Sequence, residues 1–536
     1  MRFLPVNSHT LMVELEDLQQ TLSLFHALQR APIKGIVELV PAARTLLTTF
    51  QPEVISRQHL IEQLAGCDLD QGSISATRHL KIPVHYEGED LKHVAELLGI
   101  SSHEVIQRHT QSTYHVAFSG FAPGFAYLSS DDSLLNVPRR SEPRTRIPPG
   151  AVALAGAFSG IYPKASPGGW QIIGHTSLNM WDLDRTPPAL LQPGDQVHFV
   201  DAGPSPRTQV PVGENCPASP SKRETASGRR VASSGLEITA TGLQALFQDQ
   251  GRPGQASQGI SRSGAMDRGA LRQANRLVGN DADQAGIELV HGGFQCISRG
   301  EQVVAITGAD VPLMLKTADG RQWPLLTHQP VALADGDTLT LGSPRAGIRA
   351  YLAIRGGFQE EAVVGSRSSD TLAGIGPAPL AVGDILAVSP HPLRRAVAAP
   401  EVPIQSLPTL HDVVMLDVEL GPRTDWFNAD AIHMLTQQEW QITAQSDRVG
   451  LRLKGEAPLT RRITHELPSE GTVRGAIQVP SNGQPVLFMA DHPLTGGYPV
   501  IACVARHHLD LAGQLPVGAR VRFNPITAFE AKSIDD

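Results

Sequence analysis

The spacing of hydrophobic positions changes several times along the 536-residue chain, and each change predicts a different kind of element. Residues 1–80 mix short apolar runs (Leu11–Leu15, Ile36–Val40, Thr45–Thr49) with a helical stripe over Leu18–Gln29, which predicts a small α+β domain. Asp90–Leu98 predicts a helix closed by Gly99, and Ser101 with Glu104 forms a capping box for a second helix ending near His109. From Tyr114 onward short strands alternate with Gly/Pro turns, as in YHVAFSGFAPGFAYL and GIYPKASPGGWQIIGHT, the spacing of a β-barrel or sandwich. A second β half opens at Leu236–Thr239. Its main helix is capped by Asp267, carries Leu271, Ala274 and Val278 on one face with Asn275 beside them, and stops at Gly279. Near the C-terminus, Asn482-Gly483 marks a hairpin, and the run Val486–Met489 reads as a strand buried on both faces that delivers Asp491 and His492 to its end.

A tight-turn motif recurs: Leu191-Gln-Pro-Gly-Asp195, Leu333-Ala-Asp-Gly-Asp337, Leu380-Ala-Val-Gly-Asp384 and Leu515-Pro-Val-Gly-Ala519, each followed by alternating apolar residues. Each copy feeds a strand near a suspected domain edge, which supports barrels on both sides of a Pro/Ser/Gly-rich stretch. The expected organisation is a small α+β domain (1–80), a β-barrel (81–201), a linker between independently folding halves (202–235), a second barrel (236–390), a Pro/Ala-rich connection (391–408) and a third barrel (409–536). The fold class is therefore mainly β with an α+β N-terminal domain.

Composition narrows the function by exclusion. A net charge of -8 and a pI near 6.2 give no electrostatic footprint for nucleic acid or an anionic membrane. Cys67, Cys216, Cys296 and Cys503 form no CxxC pair, so neither a zinc site nor a disulfide framework is indicated, and no metal ligands are assigned. Without a basic, apolar leader or a membrane-length apolar run, the expected location is the cytoplasm. No P-loop, GxGxxG after a strand, HExxH or GxSxG elbow occurs, and the Ala-Met-Lys-Met type of biotin site is missing.

Polar groups in glycine and proline turns carry the candidate chemistry. Glu470, Gln478, Asp491, Thr495, Gly496, Gly497 and Tyr498 cluster around the C-terminal hairpin, where paired glycines let backbone approach a ligand. Asp491 is placed to orient a substrate amide or a metal. Arg139, Arg140, Arg144 and Arg146 lie in one proline-studded loop whose guanidinium forks suit carboxylate or phosphate. Gly168 and Gly169, ahead of Gln171, can turn backbone N–H groups toward an anion. Asp249, Arg252, Ser263, Asp267 and Asn275 fall within a short span, Arg448 follows a strand, and His109 ends a helix; buried structural roles compete with binding at each, most strongly at Asn275.

Longer motifs carry a resemblance across nearly the whole chain. PRRSEPRTRIPPGAVALAG and GIYPKASPGGWQIIGHT resemble the B subunit of the bacterial ATP-dependent 5-oxoprolinase, the KipI family; LQALFQDQGRPG, SGAMDRGALRQANRLVGN and GAIQVPSNGQPVLFMADHPLTGGYP resemble its C subunit, the KipA family. The resemblance implies cyclophilin-like β-barrels in both halves, ATP with Mg²⁺ as cofactors, a separate A subunit of 5-oxoprolinase as partner, and a small-molecule substrate; homo-oligomerisation stays open. Catalytic roles then fall to Asp491, Arg448 and Glu470, and substrate or phosphate binding to the other turn residues. ATP phosphorylation of the lactam oxygen turns an unreactive amide into an electrophile that water can open to glutamate. Two departures bear on substrate choice: Asp491-His-Pro-Leu-Thr495 stands where many relatives read DAQTT, and Val449 replaces the Met of SDRMG. Both regions also resemble the carboxyltransferase part of urea carboxylase, so the alternative is a carboxyltransferase component of a biotin-dependent urea or amide carboxylase. The B-then-C order disfavours it. A kinase inhibitor joined permanently to its antagonist, as KipI and KipA would be, is poorly regulated and is disfavoured too.

Overall fold

In a computed structural model that describes residues 1–69, 78–140, 144–204, 234–389 and 395–533, strands hold 37% of the chain and helices 16%, so sheet packing sets the architecture. The N-terminal domain is a five-stranded sheet in the order Ile36–Pro41, Thr45–Phe50, Thr10–Glu14, Arg2–Asn7 and Lys532–Ser533. Helix Leu18–Arg30, capped by Asp17, covers one face with Leu24, Phe25 and Leu28. The last strand of this sheet comes from the far end of the chain.

Seven strands form the next sheet, ordered Gln171–His175, Ala151–Ala155, Phe158–Ile161, Ala126–Ser130, Tyr114–Ser119, Gln196–Asp201 and His79–Val84. Reciprocal backbone bonds between His85 and His175 (2.8 and 2.9 Å) bring its edges together and nearly close a barrel. Helices Leu91–Leu98 and Ser102–Gln111 plug it; Ser101 caps the second by accepting the Glu104 N–H, while Glu104 Oε1 accepts from Arg108.

The second half begins differently from expectation. Residues 235–387 make two sheets, of six and five strands, that face each other across one core containing Leu236, Ile238, Phe247, Ile306 and Leu352, rather than one closed barrel. Helix Arg268–Leu277 packs outside, its Leu271, Ala274 and Leu277 against the strands Gln302–Asp310 and Ala346–Ile354. A closed seven-stranded barrel follows, running Val413–Leu420, Val500–Val504, Ala476–Gln478, Val486–Phe488, Gly450–Lys454, Trp440–Ile442 and Arg520–Thr527, which returns in parallel to the first strand.

The recurrent turns have a local cause. In three copies the Asp carboxylate accepts the backbone N–H of the residue three earlier: Asp195 from Gln192 (2.8 Å), Asp337 from Ala334 (2.9 Å) and Asp384 from Ala381 (3.0 Å). The preceding glycines sit at positive φ, which a side chain resists (Gly194 91°, Gly336 80°, Gly383 90°).

The two halves are not independent. Leu4, Val6, Met12, Val40 and Leu47 of the N-terminal domain share one core with Ala476, Phe488, Leu494, Val500 and Cys503 of the closed barrel. Buried apolar area therefore joins what the linker separates; residues 205–233 of that linker lie outside the described residues. No helix among the described residues is long and apolar enough to cross a membrane.

Candidate functional site

Strands Gly450–Lys454 and Val486–Phe488 pair in the closed barrel, so the loops at one end bring Arg448 and Asp491 together. The Asp491 N–H donates to the Arg448 carbonyl at 2.9 Å, which fixes both backbones. Asp491 is fully buried. Its Oδ2 accepts from Arg448 Nε (3.0 Å) and from the Thr371 N–H and hydroxyl (both 2.8 Å), while Oδ1 accepts from Arg448 Nη2 (3.0 Å) and Ser263 Oγ (2.6 Å). Burial pushes this carboxyl upward, but the Arg448 guanidinium and these donors hold it below the ordinary range. Arg448 also donates to Glu288 (Nη1–Oε1, 2.5 Å) and to the Gly264 carbonyl (2.7 Å).

With both oxygens fully subscribed, Asp491 has no lone pair left for a substrate. The expected catalytic role therefore becomes a positioning one: Asp491 and Arg448 tie the closed barrel to loops 263–264 and 371 of the preceding sheets. Nor does Asp491 accept from the amides of Gly496 and Gly497. Ser263 holds φ at 55°, a strained position for a non-glycine residue that costs about 1–3 kcal/mol, and its bond to Asp491 fixes it there.

Beside this knot lies a set of polar groups whose hydrogen bonding is incomplete. The Arg252 side chain is wholly buried and donates from Nη2 to the Ser368 carbonyl, yet its Nε and Nη1 find no acceptor among the described residues. Asp370 uses one oxygen to cap the Ala373 N–H (2.7 Å); its Oδ2 has no hydrogen-bond partner among them either, with Arg252 Nη1 3.8 Å away. Burial, reinforced by the Asp491 charge, raises the Asp370 carboxyl to about 7. From the other half of the chain, Lys164 reaches the same place: its ammonium lies in the fields of Asp370 and Asp491 and 3.9 Å from where a Cβ on Gly374 would stand. Burial lowers the Lys164 pKa against those carboxylates. Asp249 braces the Arg252 loop by accepting from the Gly251 N–H (2.7 Å), Ser366 (2.7 Å), Ser368 (2.6 Å) and the Arg367 N–H (2.6 Å).

A second line of contacts crosses the same seam. Thr495 Oγ1 accepts the Phe121 N–H at 3.0 Å and lies 3.3 Å from the Tyr127 hydroxyl, which lies 3.4 Å from Ser469; Arg139 donates to Ser469 (3.1 Å) and pairs with Glu466 (2.9 Å). Gly497 leaves room for the Arg139 guanidinium.

The remaining candidates are structural. Arg144 holds Asp90 with a bidentate fork (2.8 and 2.8 Å) and Glu89 (3.1 Å), and Arg140 also reaches Asp90 (2.7 Å), so the expected open phosphate loop is closed by carboxylates. Gly168 lies in a short strand against Arg144–Ile147 where a Cβ would strike Tyr162, the Gly169 carbonyl accepts the Arg140 N–H, and Gln171 donates to Pro138 O (3.1 Å); close packing, not an anion nest, explains them. His109 is buried between Tyr86 Oη (2.7 Å) and Ser159 (3.0 Å) and stacked on Phe199; burial lowers it to about 3, leaving a neutral core ring. Glu470 meets Arg423 (2.9 Å), which also holds Glu14 (2.8 Å); burial raises its pKa despite that guanidinium. Glu470 thus braces the N-terminal sheet through a different arginine from the one that holds Asp491, so the expected catalytic role gives way to a structural one. Asp267 caps Ala270 N (2.8 Å) and accepts from Gln514 (2.8 Å), burial and Asp510 raising it to about 7. Asn275 donates to Gln284 O (2.7 Å), and Gln478 to Tyr498 O (3.0 Å). Gly496 pairs with Glu470, and the Tyr498 ring centre sits 5.6 Å from the Arg461 guanidinium. Sequence reasoning missed Lys164, Asp370 and Thr371, because their neighbours are brought together only by the fold.

Among the described residues, the group spaced to hold a metal is Asp417, His507 and His508, at the surface, where His508 Nδ1 already accepts the Asp417 N–H (2.8 Å).

Family models match both halves: the carboxyltransferase domain, subdomains C and D, over residues 1–191, and subdomains A and B over 258–525. This chain belongs to the carboxyltransferase-domain family. Among the relatives in this family, the C subunit of 5-oxoprolinase from Escherichia coli K12 is 35% identical over 306 residues, covering 55% of this chain and 93% of that protein. The B subunit of 5-oxoprolinase from Escherichia coli O157:H7 is 40% identical over 170 residues, 31% of this chain and 78% of that protein. The chain thus joins a B-like and a C-like region in one polypeptide. Urea amidolyase of Saccharomyces cerevisiae is 31% identical over 56% of this chain but only 17% of its own length. The crystal structure of TTHA0988 superposes with a TM-score of 0.79 at 33% identity, covering 96% of this chain and 99% of that one.

Proposed function

We propose that this chain is the B–C component of an ATP-dependent 5-oxoprolinase, acting with a separate A subunit on a small cyclic amide. The observation that carries the reading is that relatives named as the B and C subunits cover both regions, and that both regions supply side chains to the same seam. In this reading the Asp491–Arg448 knot fixes the geometry of the seam where the B-like and C-like regions meet. A covalent link keeps the two contributors together at a high effective concentration.

ATP with Mg²⁺ belongs to the proposed reaction, where phosphorylation activates the lactam oxygen toward water. The residues first expected to receive phosphate do not fit it, since Arg140 and Arg144 are held by Asp90. The Asp417 group does not fit Mg²⁺, which prefers oxygen ligands to imidazole. The chain's own part in the reaction is accordingly binding, orientation and exclusion of water. The family models favour a second reading, the carboxyltransferase component of a biotin-dependent carboxylase. The two are separated by supplying the chain with the A subunit, ATP and Mg²⁺ or, in parallel, with a biotin carboxylase, carrier and bicarbonate. Release of ADP that depends on 5-oxoproline supports the first; carboxylation of urea or another amide in the second mixture, with no such ADP release in the first, overturns it.

A further inference from the structure

Helix Arg268–Leu277 turns one face away from the core it packs against, and that face lines a groove of about 370 Å³, a volume within the range of small-molecule sites. Gly269, Arg272 and Arg276 follow one another at the three- and four-residue spacing that keeps side chains on one side of a helix. The facing wall is the segment 395–404, which supplies Arg395 and Ile404. Bonds along the helix fix that wall: Gln273 Nε2 donates to the Val402 carbonyl (2.7 Å) and to Glu401 (3.0 Å), and the Ala398 N–H donates to the Leu277 carbonyl (3.0 Å). The walls meet at Gly269, where a Cβ would stand 3.5 Å from Ile404 Cδ1 and 3.1 Å from Asp510 Oδ2. The groove is therefore formed before any ligand enters.

The chain carries a net charge of -8, yet this groove is lined by three guanidinium groups against one carboxylate. Asp510 does not neutralise them: its two oxygens accept the N–H groups of Arg268 (3.1 Å) and Gly269 (2.9 Å) at the helix N-terminus, and the guanidinium within ion-pair reach of it is that of Arg474 (3.8 Å), outside the groove lining. Arg272 is exposed and has no hydrogen bond or ion pair among the described residues, so all of its N–H donors are open to a ligand. Arg276 commits Nε (2.8 Å) and Nη2 (2.5 Å) to Glu401, and Arg395 commits Nη2 to Asp281 (3.2 Å), which leaves Nη1 of each for a further acceptor. Their side chains are 54% and 64% exposed, so a ligand reaches them without any opening of the fold.

We propose that this groove binds the polyphosphate of a nucleotide, with Arg272 and Arg276 holding phosphate oxygens from the helix and Arg395 from the facing wall. Arginine forks match phosphate geometry and keep their charge at any working pH. Arg272 and Arg276 stand one helical turn apart, a rise of about 6 Å, so they suit several anionic groups in a row rather than a single carboxylate. Ile404, 60% exposed beside them, offers an apolar surface that a purine ring can cover. Where Arg140 and Arg144 are held by Asp90, Arg272 has no carboxylate to displace. That the nucleotide is ATP rests on the functional reading above; the selection of a polyphosphate rests on the groove alone.

The test is calorimetric titration of the full chain with ATP, inorganic tripolyphosphate and adenosine, using wild type, Arg272→Glu and Arg452→Glu, the last an equal charge change on an exposed residue of the closed barrel. Wild type should bind ATP and tripolyphosphate in competition with each other, and adenosine far more weakly. Arg272→Glu should keep the wild-type melting temperature, because its side chain has no partner to lose, and should weaken both anions about tenfold or more, while Arg452→Glu leaves both unchanged. No binding of either anion by wild type, ATP that tripolyphosphate does not displace, or equal affinities in Arg272→Glu and Arg452→Glu overturns the groove. Turnover with the A subunit separates this from the functional reading. Glutamate production by Arg272→Glu at wild-type KM for ATP removes the groove and keeps the function, whereas Arg272-dependent binding of ATP with no glutamate under any condition keeps the groove and removes the function.

Discussion

Replacing Asp491 by Asn changes one oxygen to an NH₂ and removes a buried charge without changing shape. In the native structure every lone pair of that carboxylate is taken, by Arg448, Ser263 and Thr371. The amide NH₂ of an Asn must face either Ser263 and Arg448 Nη2 or Thr371 and Arg448 Nε, setting donor against donor. Arg448 is then left buried with Glu288 as its remaining carboxylate, and that carboxylate also lies 3.7 Å from Arg349. Breaking a buried pair from one side costs about 3–5 kcal/mol. For a folding unit the size of the C-like half this corresponds to a fall in melting temperature of roughly 6 °C or more. Scanning calorimetry of the full chain reads it directly, and the double replacement Asp491→Leu with Arg448→Met should recover only part of the loss, because Glu288 then stays buried without the guanidinium that bonds it, Arg349 lying 3.7 Å away. An Asp491→Asn protein that melts within about 1 °C of wild type while losing turnover would refute the reasoning and return Asp491 to the chemistry.

Other perturbations follow from the same contacts. Arg144→Ala should lower the melting temperature, by removing charged hydrogen bonds worth about 1.5–3 kcal/mol, and leave KM for 5-oxoproline unaltered; a selective loss of turnover would place Arg144 at an anion instead. Proteolytic cutting within residues 205–233 should give fragments that still elute together from a sizing column, held by the core that Leu4, Val6 and Leu47 share with Phe488 and Val500; separation without denaturant would contradict that core. Asp370, with an ordinary value of 3.8 and a folded value of about 7, binds a proton more tightly when folded, so it withdraws stability as pH rises from 3.8 to 7. Asp370→Asn should therefore gain stability relative to wild type across that window in urea titrations, and a difference independent of pH would show that the folded carboxyl titrates at its ordinary value.

Local physics was legible and distant physics was not. The turns at Asp195, Asp337 and Asp384 could be read because each carboxylate bonds a backbone N–H three residues away, and the caps at Ser101 and Asp267 work over the same distance. The strand that leads to Asp491 was equally plain from its apolar run, and it spans Val486–Phe488. What Asp491 touches was not, since Ser263 and Thr371 are 228 and 120 positions away. The arginine loop misled for the same reason: Asp90, which satisfies it, precedes Arg144 by 54 positions and carries no local mark of that role. The linker's composition suggested independent halves, but the apolar positions that join them sit on ordinary strands whose outward faces give no sign of their partner. Lys164 and Asp370 stand in unremarkable turns, and only the seam gives them meaning.

The most direct measurement combines the purified chain, an A-subunit homologue, ATP, Mg²⁺ and 5-oxo-L-proline, with glutamate and ADP followed together. Glutamate and ADP should appear in equal amounts, and both should need each protein. ADP released at the same rate without 5-oxo-L-proline, or no glutamate at any ratio of the two proteins, would contradict the assignment of this chain to 5-oxoprolinase.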